Sequence, residues 1–189
     1  MARVLFGVIL CLVLLPLVVL VWFHLGHPPV AVADPPFPFE RQIVGIALRA
    51  RIDREMPGNP PILADEATFT AGAQIYSDQC AVCHGFYGKP STLGASMYPK
   101  APQLWAQHKG SSVVGVSDDP PGETYWKVFN GIRLTGMPQF KSTLTETEIW
   151  QVSLLLANAD KQLPPAAVQI VHGELPTDAV PAPSTPAAH

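Results

Sequence analysis

Cysteine is scarce in this sequence, with three in 189 residues. Cys80 and Cys83 stand together, and Cys11 lies apart, deep in an apolar run. A zinc knuckle needs two further Cys or His ligands at short spacing, and they are missing. Charge is scarce as well: Asp, Glu, Lys and Arg make up 14% of the chain and the formal net charge is -3. No basic cluster is interleaved with aromatics, which argues against nucleic acid and against a polybasic lipid patch. No stretch alternates convincingly enough to read as a strand, and no internal repeat stands out. Proline is abundant overall but thin in the middle. Of 21 prolines, six lie between residues 64 and 162. The globular part therefore reads as residues 64–162, large enough for one core but a small one.

Against that background one stretch carries chemistry: Cys80-Ala81-Val82-Cys83-His84. Two cysteines three apart, with histidine directly after the second, have the spacing of a c-type haem attachment site. Two thiols on one helical turn can reach the two vinyl groups of one porphyrin and form thioethers. His84 then sits beneath the iron and can ligate it through an imidazole nitrogen. A thioredoxin-type pair would need a βαβ context that is not visible here. A structural disulfide would leave His84 without a role. A large apolar cofactor would also enlarge a small core. The sixth position on such an iron decides what the site does. Met56, Met97, Met137 and His108 are the side chains able to fill it. Met137 is the best placed on local grounds, because Gly136 and Pro138 fix a tight turn on a loop between two helices. Met97 is the reserve.

In chain order, Val4 to Phe23 is a run of about twenty residues without a charge. At about 1.5 Å per residue it spans roughly the hydrocarbon thickness of a bilayer. Arg3 precedes it, which favours an N-in orientation. Residues 1–26 read as a retained transmembrane anchor, with a cleaved signal peptide ending near Ala31-Val32-Ala33 as the rival. Residues 27–63 form a proline-rich linker carrying a helix over 40–55, with Ile43, Ile46 or Ala47, and Ala50 on its apolar face. That helix either packs on the following domain or docks a partner. Asp65 caps a helix running to Gln79, in which Gly72 suggests a close helix crossing. Residues 85–122 are loop-like, and Tyr98, Leu104 and Trp105 are candidates to line a cofactor pocket. A short helix follows over 123–130. Thr145-Glu146-Thr147-Glu148 opens a helix to about Asp160, with Ile149, Val152, Leu155 or Leu156, and Ala159 as its buried stripe. Pro164-Pro165 stops it, and residues 163–189 read as a disordered Pro/Ala-rich tail.

Taken together, residues 64–162 resemble the class I monohaem cytochromes c, most closely their bacterial membrane-anchored forms. Gly72 and Tyr76 match the family's glycine–aromatic pair, residues 80–85 its haem motif, and Asn130 to Pro138 its methionine loop. Ile149 to Leu156 resembles its C-terminal helix. The resemblance implies an all-α fold wrapped around one covalent haem c, with the last helix crossing the first near the glycine. It implies Cys80 and Cys83 as thioether positions, with His84 and Met137 as iron ligands. Pro102-Gln103-Leu104 is similar to the family's loop whose proline carbonyl accepts from the proximal histidine. Tyr98, Trp105 and Arg133 are of the aromatic and basic kinds that bond haem propionates in the family.

The function expected is one-electron transfer, not enzymatic turnover, on the outer face of a bacterial cytoplasmic membrane. The haem domain would face the periplasm and meet redox partner proteins transiently. The alternatives are a cytochrome subunit of a larger oxidase or dehydrogenase complex, or a gas- or peroxide-reactive haem protein if Met137 is not an iron ligand.

Overall fold

The computed structural model describes residues 1–174, and the chain divides into two units, Met1–Gly45 and Ile46 onward. In the first, helix α1 runs from Ala2 to Leu25, a length of about 36 Å at about 1.5 Å per residue. Over its most apolar 18 residues the mean hydropathy is 3.3, and none of its side chains is buried. It is long and apolar enough to cross a membrane. Pro16 sits inside the helix without ending it. Trp22 packs edge-on against Phe23 and Phe37, with ring centroids 5.2 and 5.8 Å apart. The Asp34 carboxylate then accepts the N–H groups of Val30 and Ala31, each at 2.8 Å, which closes a turn in the linker.

Helix α2, Glu40–Glu55, has the bounds that the sequence suggests but not the buried face. Ile43 and Ile46 are exposed, whereas Ile52 is buried and Leu48 half-buried. Its apolar residues outline no single stripe, so periodicity alone could not tell which of them would find a partner.

The second unit is all-helical. Helix α3, Glu66–Ile75, starts where Asp65 Oδ1 accepts the Thr68 N–H at 2.9 Å. It does not continue as an α-helix into the cysteine motif. Residues Tyr76–Cys80 form a π-helical segment, in which the Ala81 N–H donates to the Tyr76 carbonyl. The wider turn inserts one residue and re-aims everything that follows. Helix α4, Ala81–His84, carries the second cysteine and the histidine. Tyr76, wholly buried, donates its hydroxyl to the Gly85 carbonyl at 2.6 Å, which ties the start of the π segment to the end of α4. Burial also holds that phenol protonated well above its ordinary range.

The long loop that follows contains helix α5, Thr92–Ala95, capped by Ser91. Helix α6, Pro121–Asn130, begins with proline at its first position, where no N–H is needed. Helix α7, Glu146–Leu156, opens with the Thr145–Glu148 capping box. It is not a stripe-buried surface helix: Ile149, Trp150, Val152, Ser153, Leu154, Leu155 and Leu156 are all buried, so α7 is the central element. Among the described residues there is no β-strand, only isolated bridges at Phe86–Lys89 and Gln107–Val114.

Helix α8, Pro165–Val171, overturns the expectation of a disordered segment from residue 163. Pro164 and Pro165, read as a stop, also start the next helix, with Pro164 as N-cap and Pro165 as first residue. Ala167, Ile170 and Val171 lie at helical spacing and are buried, together with Leu163. The domain therefore extends past residue 162. The rest of the expected tail, 175–189, lies outside the described residues.

Two hydrophobic clusters flank α7. One gathers Tyr76, Leu104, Trp105, Val152, Leu155, Ala167 and Val171. The other gathers Tyr125, Val128, Ile149 and Trp150, with Met137, Phe140 and Leu144 against them. Helix α3 crosses α7 at Gly72, where an added Cβ would overlap the Gln151 carbonyl oxygen and come within 2.8 Å of its carbon. These are backbone atoms and cannot rotate away. Gly72→Ala gains about 1 kcal/mol of helix propensity, but overpacking against fixed backbone typically costs about 1–3 kcal/mol or more. A net loss on the order of 1 kcal/mol is expected in denaturant unfolding, and a stabilised variant would contradict the crossing. Tyr76→Phe leaves the Gly85 carbonyl without its donor in a buried setting. It should cost about 1–3 kcal/mol in the same measurement.

Candidate cofactor site

Between the two clusters lies a cavity of about 570 Å³. Cys80, at the end of the π segment, and Cys83 and His84, on α4, open onto it. From the opposite side of the sequence come Met137 and its neighbours Gly136 and Pro138. Leu104, Val128, Phe140, Val152 and Leu156 supply an apolar lining. Size and lining suit a large apolar ligand held by a few polar or ligating groups.

The histidine is oriented from behind. His84 Nδ1 lies 2.7 Å from the Pro102 carbonyl oxygen. A carbonyl only accepts, so Nδ1 carries the proton and Nε2 keeps a free lone pair, which is the arrangement a metal-binding imidazole needs. Burial lowers the His84 pKa against the opposing pull of the Pro102 bond, which favours the neutral ring. The 85–104 loop is pinned in turn. Ser91 Oγ donates to the Val82 carbonyl at 2.6 Å, and the Ser91 N–H donates to Gln103 Oε1 at 2.8 Å. Gly94 packs so tightly on the Cys83 carbonyl that a Cβ would overlap it.

Both cysteines carry unpaired thiols and are half-buried. Burial, with a further contribution from Cys83, pushes the Cys80 thiol up to about 12. Among the described residues no group of three or more His, Cys, Asp or Glu gathers into a protein-ligated metal site. What the motif presents is two thiols and one imidazole with a free Nε2 beside an apolar cavity.

The methionine loop is a tightly bonded turn. Gly131, at φ +66°, ends α6, and a Cβ there would sit 2.6 Å from Gln139 N. The Ile132 N–H donates to the Met137 carbonyl at 3.2 Å, and the Met137 N–H to Thr135 Oγ1 at 3.1 Å. The Phe140 N–H reaches back to the Val128 carbonyl at 3.0 Å. Leu134, at φ +62° and exposed, forms the outer tip.

Of the other residues singled out in the sequence, Pro102 and Leu104 line the cavity. Tyr98 does not, although Met97 and Pro99 on either side of it do. Its hydroxyl is buried without a hydrogen-bond partner among the described residues. Trp105 belongs to the core, edge-on to Tyr76 at 5.6 Å, with its indole N–H also unpartnered. Arg133 and His108 are exposed and lie away from the lining, as does Met56. Met97 is in it: a Cβ on Gly136 would sit 2.8 Å from Met97 Sδ, so both thioethers reach the same cavity. Sequence reasoning missed Leu48, Thr124 and Lys127 as lining residues. Lys127 carries a signal in its i,i+4 spacing from Glu123, with which it pairs at 2.6 Å. Leu48 carries none.

Residues 67–154 match the family model described as cytochrome c oxidase, cbb3-type, subunit III. No curated protein and no solved structure matches the chain. The donor set fits the group this family implies: two thiols at haem-attachment spacing, a neutral imidazole with a free Nε2, and an apolar cavity with thioether sulfur in its lining. Residues 67–154 are therefore a c-type cytochrome domain, in keeping with the monohaem family the sequence resembles, and the cofactor it implies is covalent haem c.

Proposed function

We propose that this protein is a one-electron carrier whose haem iron is held by His84 and Met137. The observation that carries the reading is that Cys80, Cys83, His84 and Met137 all line one apolar cavity. The haem supplies the ferric–ferrous couple. The chain's part is to hold and tune it. Cys80 and Cys83 anchor it through thioethers. The Pro102 carbonyl keeps Nε2 of His84 unprotonated and aimed. The bonded turn from Gly131 to Phe140 presents Met137 with little freedom, so neither ligand has to reorganise when the electron arrives or leaves. A soft thioether favours the ferrous state and raises the potential. The Tyr98 hydroxyl and the Trp105 indole N–H, both buried without a partner among the described residues, are the groups left to bond a polar edge of the haem.

Helix α1 supports a membrane location, and Arg3 on its N-terminal side supports an orientation with the haem domain on the outer, periplasmic face. The family match favours one refinement: the domain serves as the cytochrome subunit through which an oxidase of the cbb3 type receives electrons. The two roles differ in how long the partner stays bound, and co-purification with an oxidase from detergent-solubilised membranes separates them.

The ferric holoprotein should carry the absorption band of thioether–iron ligation, and Met137→Ala should abolish it while the covalently attached haem remains. Met97→Ala should leave the band in place. Loss of the band in Met97→Ala alone would transfer the ligand role to Met97, and its absence from the wild type would sink six-coordinate His/Met ligation. Removal of residues 1–26 from the mature protein should move the haem signal from the membrane to the soluble fraction.

A further inference from the structure

Helix α2 lies outside the span that matches the family, yet it reaches the cofactor cavity. Leu48 lines it beside Thr124, Lys127 and Val128 of α6. One turn further along the same face, Ile52 is only 3% exposed. At the helix end, Glu55 Oε2 accepts the Trp126 indole N–H at 3.0 Å, and Glu55 Oε1 pairs with Arg51 Nε at 2.9 Å. The Arg51 guanidinium lies 6.0 Å from the centroid of the same indole. Directly after the helix, the Pro57 carbonyl oxygen approaches Gly122 so closely that a Cβ there would overlap it. Residues 48, 55 and 57 thus meet α6 or the cavity in succession, with Ile52 buried between them, although nothing in the haem motif or the methionine loop requires them.

We infer that the second half of α2 is a wall of the haem site, in which Leu48 keeps water from the haem on the α6 side and the Glu55–Trp126 bond and Pro57–Gly122 contact position it. The inference rests on the reading of the cavity as the haem site. Reduction adds one negative charge to a site of low dielectric, so the polarity of each wall residue bears on the ferrous-to-ferric ratio. An apolar Leu48 favours the less charged ferrous site. Glu55 and Trp126 act only through the helix they hold, as positioning residues.

The test is a spectroelectrochemical titration of the full-length holoprotein. Leu48→Met should match the wild type. At fixed ambient potential, Leu48→Glu should lower the ferrous-to-ferric ratio and Leu48→Lys should raise it. Each change should be on the order of tenfold, as a unit charge at an effective dielectric of about 20 would give. Ile46, 70% exposed on the same helix, is the control, and the same charges there should move the ratio far less. Glu55→Gln weakens the acceptor for Trp126 without adding charge to the cavity, and should lower the ratio by admitting water. Shifts of the same sign for Glu and Lys, or shifts no larger than at Ile46, with the thioether–iron band intact, would overturn the inference. Where the charged variants do not accumulate as holoprotein, Leu48→Gln and Glu55→Gln decide, and an unchanged ratio in both is equally fatal. Covalent haem that survives the loss of both Cys80 and Cys83 would instead overturn the cavity reading, and the role of α2 with it.

Discussion

The contact on which the domain depends is the approach of the α3 and α7 backbones at Gly72 and Gln151. Only a residue without a Cβ lets the two helices come this close. Once they do, Tyr76 falls into the core, bonds the Gly85 carbonyl and fixes both ends of the segment that carries Cys80, Cys83 and His84. On its other side α7 buries Ile149 and Trp150 against α6, and Tyr125 stacks on Trp150 with centroids 4.4 Å apart. Helix α6 in turn ends at Gly131, where the methionine loop begins. One helix therefore sets the distance between the histidine side and the methionine side of the site.

The cavity also changes how the core should be understood. The two hydrophobic clusters face it from either side: Leu104, Val152 and Leu156 belong to one, and Val128, Met137 and Phe140 pack with the other. A domain this small buries a limited fraction of its chain surface. An apolar group in the cavity would join the two clusters into one core, so haem attachment and the completion of packing are the same event. That explains why a long, glycine- and proline-punctuated loop between α4 and α6 is tolerated: it packs on the cavity and on α4 through Ser91, Gly94 and Gln103.

What could be read in the sequence was what depends on few residues at short range. The Cys-x-x-Cys-His spacing, the Asp65 and Thr145 caps and the close approach implied by Gly72 each follow from local chemistry. The π segment was not legible, because a single-residue widening is decided by where Tyr76 and Cys80 must point and not by propensity. Helix α8 was hidden by a dipeptide with two opposite meanings, since proline ends one helix as readily as it begins the next. Met97 and Met137 could be ranked but not separated in space. Both are thioethers on loops, and only the chain path from α5 to Ala101 brings Met97 against Gly136.

The buried face of α2 is the instructive miss, because it separates two ways of adding a segment to a compact domain. Helix α8 is built in through burial. Ala167 and Val171 are sealed in the core, the Tyr87 N–H donates to the Val171 carbonyl at 3.0 Å, Lys89 Nζ donates to the His172 carbonyl at 2.8 Å, and Tyr87 stacks on His172. Removing it would open the core beside the cysteine motif. The second half of α2 is fastened at separate points, by one buried isoleucine, one carboxylate–indole bond and one close backbone contact. An element held this way can be altered without dismantling α4 or the methionine loop. Leu48 is the one α2 residue that lines the cavity, so a change of polarity there reaches the site directly. On the proposed reading, His84 and Met137 set the kind of centre, and the second half of α2 is where its potential can be adjusted.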